Sequence, residues 1–181
     1  GTHAFRKPPA ILGHEITGDI VEVGKTVKNL KIGDRVTVEP QYACGECEFC
    51  RDSLINLCNS KVVPGTPKWI GVFAEYFNAP AKTVYKLADQ VNYKMGTMIE
   101  PLAVAIRALR KITVKEKDTM VILGSGTIGL LILIAAKKMG YKNVICTDTA
   151  DFNLQMAKKH GASITINPKT ENVEELVKKA P

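Results

Sequence analysis

The sequence predicts two kinds of structure in succession: a β-rich first half, then the first half of a doubly wound α/β domain on a parallel sheet. Three observations carry this. β-branched, partly alternating runs bounded by glycine-bearing turns fill the residues before Pro101. At Pro101 the apolar spacing changes to a helical period. From Thr119 onward short apolar strands alternate with helical segments, the order that gives right-handed βαβ units.

In order along the chain, EITGDIVEVG (15–24) and GDRVTVEP (33–40) read as strands, with turns at Gly24 and Gly33–Asp34. A cysteine-rich loop follows, and FAEYFNAPAKTVYKL (73–87) resumes the strand pattern. PLAVAIRALR (101–110) reads as a helix with proline at its first position, where a missing N–H costs nothing. Strand TMVIL (119–123), a glycine loop, a helix to Met139, strand NVICT (143–147), a helix from Asp151 to His160, strand SITIN (163–167) and a charged helix after Thr170 complete the pattern. The expected domains are 1–99, which contains the cysteine loop at 44–58, and 100–181.

The 181 residues are 45% hydrophobic, enough to bury one good core or two modest ones. The most apolar stretch, Ile128 to Ala136, is too short to span a bilayer and is broken by Lys137 and Lys138. No membrane partner is expected. A net charge of +7 raises the question of nucleic acid, but Lys25, Lys28, Lys31, Lys82, Lys86, Lys115 and Lys117 are scattered. Lys137–Lys138 and Lys158–Lys159 fall in the last turns of expected helices, where cations offset the helix dipole. No nucleic-acid partner is expected either.

Four of the five cysteines, Cys44, Cys47, Cys50 and Cys58, lie in one window, CGECEFCRDSLINLC. That spacing lets one loop wrap four sulfurs around a zinc ion, closing its coordination so that the metal is structural and does no chemistry. Disulfides are disfavoured by the small rings they would close and by the lack of any secretory h-region. An iron–sulfur run would place its fourth cysteine sooner and before proline, whereas Asn59 follows Cys58. Unliganded thiols are the third alternative. Cys146, in the apolar run NVIC, reads as a small core residue. Reduced, clustered thiols fit a cytoplasmic protein.

Gly124-Ser-Gly126-Thr-Ile-Gly129 follows a strand and opens a helix, the context a dinucleotide loop requires. There Gly124 permits the tight turn, Gly126 lets backbone approach a pyrophosphate, and Gly129 lets the helix pack against the sheet. Asp148, about twenty residues past the loop at the end of the next strand, suits an adenosine ribose. Its charge, with Asp151 nearby, favours NAD over NADP. The loop alone is also compatible with a flavin dinucleotide, and Asp148 alone with a capping role.

Near the start, GHEITGDIVEVGKTV sets Gly18 and Gly24 at fixed offsets after Gly13-His14-Glu15. With the cysteine loop and the dinucleotide fingerprint, in this order over essentially the whole chain, the sequence resembles the zinc-dependent medium-chain alcohol dehydrogenases. The resemblance implies a GroES-like catalytic domain, N-terminally truncated here, followed by the first half of a Rossmann coenzyme domain. It implies that His14 binds a catalytic zinc and that Glu15 is a ligand or a partner of the ligands. Glu100, in IEPLAVAIRAL, stands where ethanol-type members carry a second zinc-binding cysteine. That exchange is similar to the sorbitol, threonine and butanediol dehydrogenases, where the glutamate lies at or near the zinc, often through water. At the start of a helix it also suits the dipole. Ile128 matches a residue lining the adenine–ribose face.

The resemblance thus implies hydride transfer from a secondary alcohol, a polyol, diol or threonine-like substrate, to NAD, in a parent that is a homo-oligomer, dimer or tetramer. It places the family's catalytic cysteine further upstream of His14 than this chain reaches, so the chain reads as a fragment. The alternative is that the isolated polypeptide is a noncatalytic zinc- and nucleotide-binding piece. Asn153 stands where many relatives carry an arginine near the adenosine phosphate, an expectation of weaker cofactor binding.

Overall fold

Glycine-bearing turns bring the β-branched runs of the first half together as an antiparallel sheet. The computed structural model describes residues 7–113 and 118–179, and Lys115 and Lys117 lie outside them. The chain forms two compact units, Gly1–Glu100 and Pro101–Pro181.

In the first unit β1 (Thr17–Asp19), β2 (Arg35–Val38) and β3 (Val84–Lys86) form a sheet in the order β1-β2-β3, antiparallel throughout. Val36, Thr37 and Val38 are buried, and the Thr37 hydroxyl donates to the Ile16 carbonyl at 2.8 Å, which satisfies a polar group away from water. The strands are shorter than the sequence suggests. Pairing past β1 reaches only Ile20, whose N–H donates to Asp34 O, and Val21 is 62% exposed with little to pack on. Within 73–87 only β3 forms. The Trp69 indole N–H donates to the Asn78 carbonyl at 2.8 Å, and Pro80, which has no N–H, leads into a 3₁₀ turn at Ala81–Thr83.

A one-turn helix α1 (Glu48–Arg51) and a 3₁₀ turn at Ile55–Leu57 lie inside the cysteine loop. Helix α2 (Tyr93–Thr97), unforeseen, is capped by Asn92, whose side chain accepts the Met95 N–H at 2.9 Å. Arg35 joins it to the sheet. The guanidinium lies 4.3 Å from the Tyr93 ring centre and 3.5 Å from Asp19, and donates to the Val91 carbonyl. Helix α3 (Ile99–Leu109) starts two residues before Pro101. Proline is tolerated throughout a first turn because those N–H groups have no intrahelical acceptor.

In the second unit β4 (Thr119–Leu123), α4 (Thr127–Lys138), β5 (Asn143–Thr147), α5 (Asp151–Lys159), β6 (Ile164–Ile166) and α6 (Val173–Lys178) alternate as expected. The sheet runs β4-β5-β6 with parallel pairs, Ile122 facing Cys146 and Cys146 facing Thr165. Its core joins Leu109, Ile122, Leu133, Ala136, Val144 and Ala157 to Cys146, which is fully buried and takes the core role expected of it. Lys137–Lys138 and Lys158–Lys159 occupy the last turns of α4 and α5. No described helix is long and apolar enough to cross a membrane.

Candidate functional site

Local turns gather the four cysteines. Cys47 is the N-cap of α1 and Cys50 sits one turn later on the same side, while the 3₁₀ turn at Ile55–Leu57 delivers Cys58. Paired bonds between Tyr42 and Val62, at 3.0 Å in both directions, close the neck of the loop. The four sulfurs lie within 4.8 Å of one another, with Cys44–Cys58 and Cys47–Cys50 at 3.5 Å and Cys44–Cys50 at 3.8 Å. A tetrahedron with Zn–S of about 2.3 Å has edges of about 3.8 Å, so the donor set fits one zinc. A disulfide needs S–S of about 2.05 Å, so these are free thiols.

Their protonation is uneven. Backbone N–H groups of Glu46 and Cys47 lower the Cys44 thiol to about 6, whereas burial pushes Cys50 up to about 12. Four thiolates this close require a cation among them.

A second donor cluster forms in the same unit. His14, Glu15 and Glu100 each place one ligand atom within 4.8 Å of the others. The Gly13–His14 segment is pinned by the chain at 71–73: Gly71 N–H donates to Ile11 O, Val72 N–H to Gly13 O and Phe73 N–H to Leu12 O, at 2.8 to 3.1 Å. Only glycine fits at position 71, where a Cβ would lie 2.2 Å from the Leu12 carbonyl oxygen. Sequence reading missed this clasp, whose only sign is the glycine itself. Glu100 is half-buried on the first turn of α3, and burial raises its carboxyl, with His14 opposing the shift and Glu15 adding to it. One imidazole and two carboxylates are donors suited to zinc.

The glycine loop of the second unit makes a different kind of site. Gly124 has φ +92°, a left-handed conformation, and its N–H donates to Thr147 O at 3.0 Å. A Cβ on Gly129 would lie 1.9 Å from the Gly124 carbonyl oxygen, so the helix rests directly on the turn. Gly126 is the N-cap of α4 and offers no side-chain cap, leaving first-turn N–H groups available for an anion. Ile128 is 40% exposed beside it and borders an apolar hollow of about 540 Å³ along β4.

Asp148 is brought to this loop. Its Oδ2 accepts the Ser125 N–H at 2.8 Å and its Oδ1 the Ala150 N–H at 2.8 Å. Ala150 first, then Ser125, hold its carboxyl below the usual carboxylate range. The sequence reading did not foresee the part played by Ser125, and it had Asn153 only as a departure from the arginine of many relatives. Ser125, fully buried, ties the loop to β5 through its hydroxyl bond to Thr147 O at 3.1 Å, and Asn153 donates from its amide to Asp148 Oδ2 at 3.1 Å.

Residues 1–89 match the alcohol dehydrogenase GroES-like domain and residues 127–181 the zinc-binding dehydrogenase family. A sorbitol dehydrogenase of Bacillus subtilis is 37% identical over 178 residues, covering 98% of this chain and 50% of that protein. A probable D-xylulose reductase A of Arthroderma otae is 39% identical over 172 residues, 93% of this chain and 48% of that one. The structure of a zinc-binding dehydrogenase from Sinorhizobium meliloti 1021 bound to NADP superposes with a TM-score of 0.89 at 33% identity, covering 94% of this chain and 49% of that one. The chain spans about half the length of the curated relatives it matches. With the antiparallel sheet in the first domain match, strands β5 and β6 of the parallel sheet in the second, and relatives at this identity, the chain belongs to the zinc-dependent medium-chain alcohol dehydrogenases.

Proposed function

We propose that this chain supplies metal and nucleotide sites of an NAD-dependent dehydrogenase that oxidises a secondary alcohol of the polyol or diol class. The observation that carries the proposal is the convergence of His14, Glu15 and Glu100 in a chain that also holds a closed four-cysteine lobe. In this reading residues 1–99 form the catalytic domain and 100–181 the coenzyme domain. His14, Glu15 and Glu100 would hold the reacting zinc, and Cys44, Cys47, Cys50 and Cys58 the structural one. Bound zinc supplies Lewis acidity toward the substrate hydroxyl, and bound NAD supplies the hydride acceptor.

The chain's own residues prepare both. The clasp at 71–73 fixes the approach of His14, and the half-buried Glu100 adds negative charge where a cation offsets its desolvation. Gly124, Gly126, Gly129 and the start of α4 cradle the pyrophosphate, Ile128 lines the adenine–ribose face, and Asp148 receives the ribose and repels a 2′-phosphate. The names of the sorbitol and xylulose relatives favour a polyol over a threonine-like substrate. A homo-oligomeric parent and a cytoplasmic address, suited to reduced thiolates, accompany this reading.

The test uses the intact protein that carries this chain, offered sorbitol, xylitol, butanediol and threonine with NAD. Activity on a polyol or diol is expected, abolished by His14→Ala while the four-cysteine zinc stays bound. Full activity in that variant would refute the assignment.

A further inference from the structure

We infer that Asn153 is a positioning residue for Asp148 and sets the preference between NAD and NADP. The inference rests on the nucleotide-binding reading above. Asp148 Oδ2 receives two donors, the Ser125 N–H at 2.8 Å and the Asn153 amide at 3.1 Å, while Oδ1 receives the Ala150 N–H at 2.8 Å. Two of these donors are main chain and are present whatever the sequence. Asn153 is the side chain that completes the set. A carboxylate only accepts, so the amide must turn its NH₂ toward it, which fixes both groups.

Donors on both oxygens restrict rotation about the last side-chain bond of Asp148. One consequence is a preset acceptor for ribose hydroxyls, with the ordering cost met before ligand arrives. The other is a full negative charge held in one place, where a 2′-phosphate would have to sit. Asn153 stands at the third position of α5, half-buried, in a helix whose N-cap Ala150 has no capping side chain. An amide in this place adds a neutral donor without neutralising Asp148, as a cation would.

The competing explanation is that Asn153 only secures the start of α5. Stability alone cannot separate the two, so ligand selectivity is the readout. The intact protein carrying Asn153→Leu, Asp148→Asn and both changes is titrated with NADH and with NADPH by nucleotide fluorescence, with thermal melting alongside. Asn153→Leu is expected to weaken NADH about five- to tenfold and NADPH less than about twofold, the size of effect that an ordinary net hydrogen bond exerts. In the Asp148→Asn background the same change should leave NADH affinity unaltered, because the two residues act as a pair. Asn153→Ala replaces the leucine variant if that one shows no cooperative melt. Unchanged NADH affinity, equal losses for the two nucleotides, or a full loss persisting without the Asp148 carboxylate each overturn the inference. Failure of the wild-type protein to bind either nucleotide overturns the nucleotide reading itself, a separate outcome.

Discussion

Asp34 shows how one side chain in the first unit couples the sheet to a turn. It is buried, with Lys86 Nζ at 2.6 Å and the Lys31 N–H at 3.0 Å on its carboxylate. Lys86 first, then the Lys31 N–H, lower its pKa. A carboxyl lowered in the folded state stabilises fully above its unfolded pKa, about 3.9, and loses that contribution as pH falls through the folded value. Asp34→Asn should therefore lower the melting temperature at pH 7 and differ much less from wild type at pH 3. Equal penalties at both pH values would contradict this. The clustering of Cys44, Cys47, Cys50 and Cys58 was legible because their spacing is local, whereas the meeting of His14 with Glu100 followed only from the family resemblance. Asp34–Lys86 and Asp148–Asn153 were not legible, since each depends on which carboxylate oxygen a folded neighbour meets.

At the scale of elements, the alternating strands and helices after Thr119 were readable because each apolar run ends at a glycine, a polar cluster or a helix start. The first half was readable only in part. Its strands are short and their limits are set by partners distant in sequence, such as the Trp69 bond to Asn78. The joint between strand and helix in the nucleotide loop gives the sharpest prediction. Because a Cβ at Gly129 would overlap the Gly124 carbonyl, Gly129→Ala should displace α4 from the turn and reduce NADH affinity at least about tenfold, a loss comparable to removing about one hydrogen bond. Isothermal titration of the variant checks it, and wild-type affinity would show that the helix can shift without cost.

For the molecule as a whole, two compact units imply two responses to metal removal. The cysteine lobe has few buried apolar residues of its own, Cys58 being buried while Leu54, Ile55 and Leu57 are exposed. With a zinc held by the four cysteines, its order would depend on the ion in a way that the β4-β5-β6 unit, with its core of Leu133, Val144 and Ala136, would not. Treatment with a strong chelator should raise amide hydrogen exchange across 44–61 while 119–166 keeps its protection. Parallel loss in both segments would contradict the separation.

The Tyr42–Val62 bridge has a bearing on how such a lobe is inherited. Two residues that exchange both backbone bonds across an antiparallel pair stand about 5.5 Å apart, a gap that a tight reversal of the chain can span. Everything between them is thus a cassette mounted on a closed stem, open to excision or graft while the surrounding scaffold keeps its register.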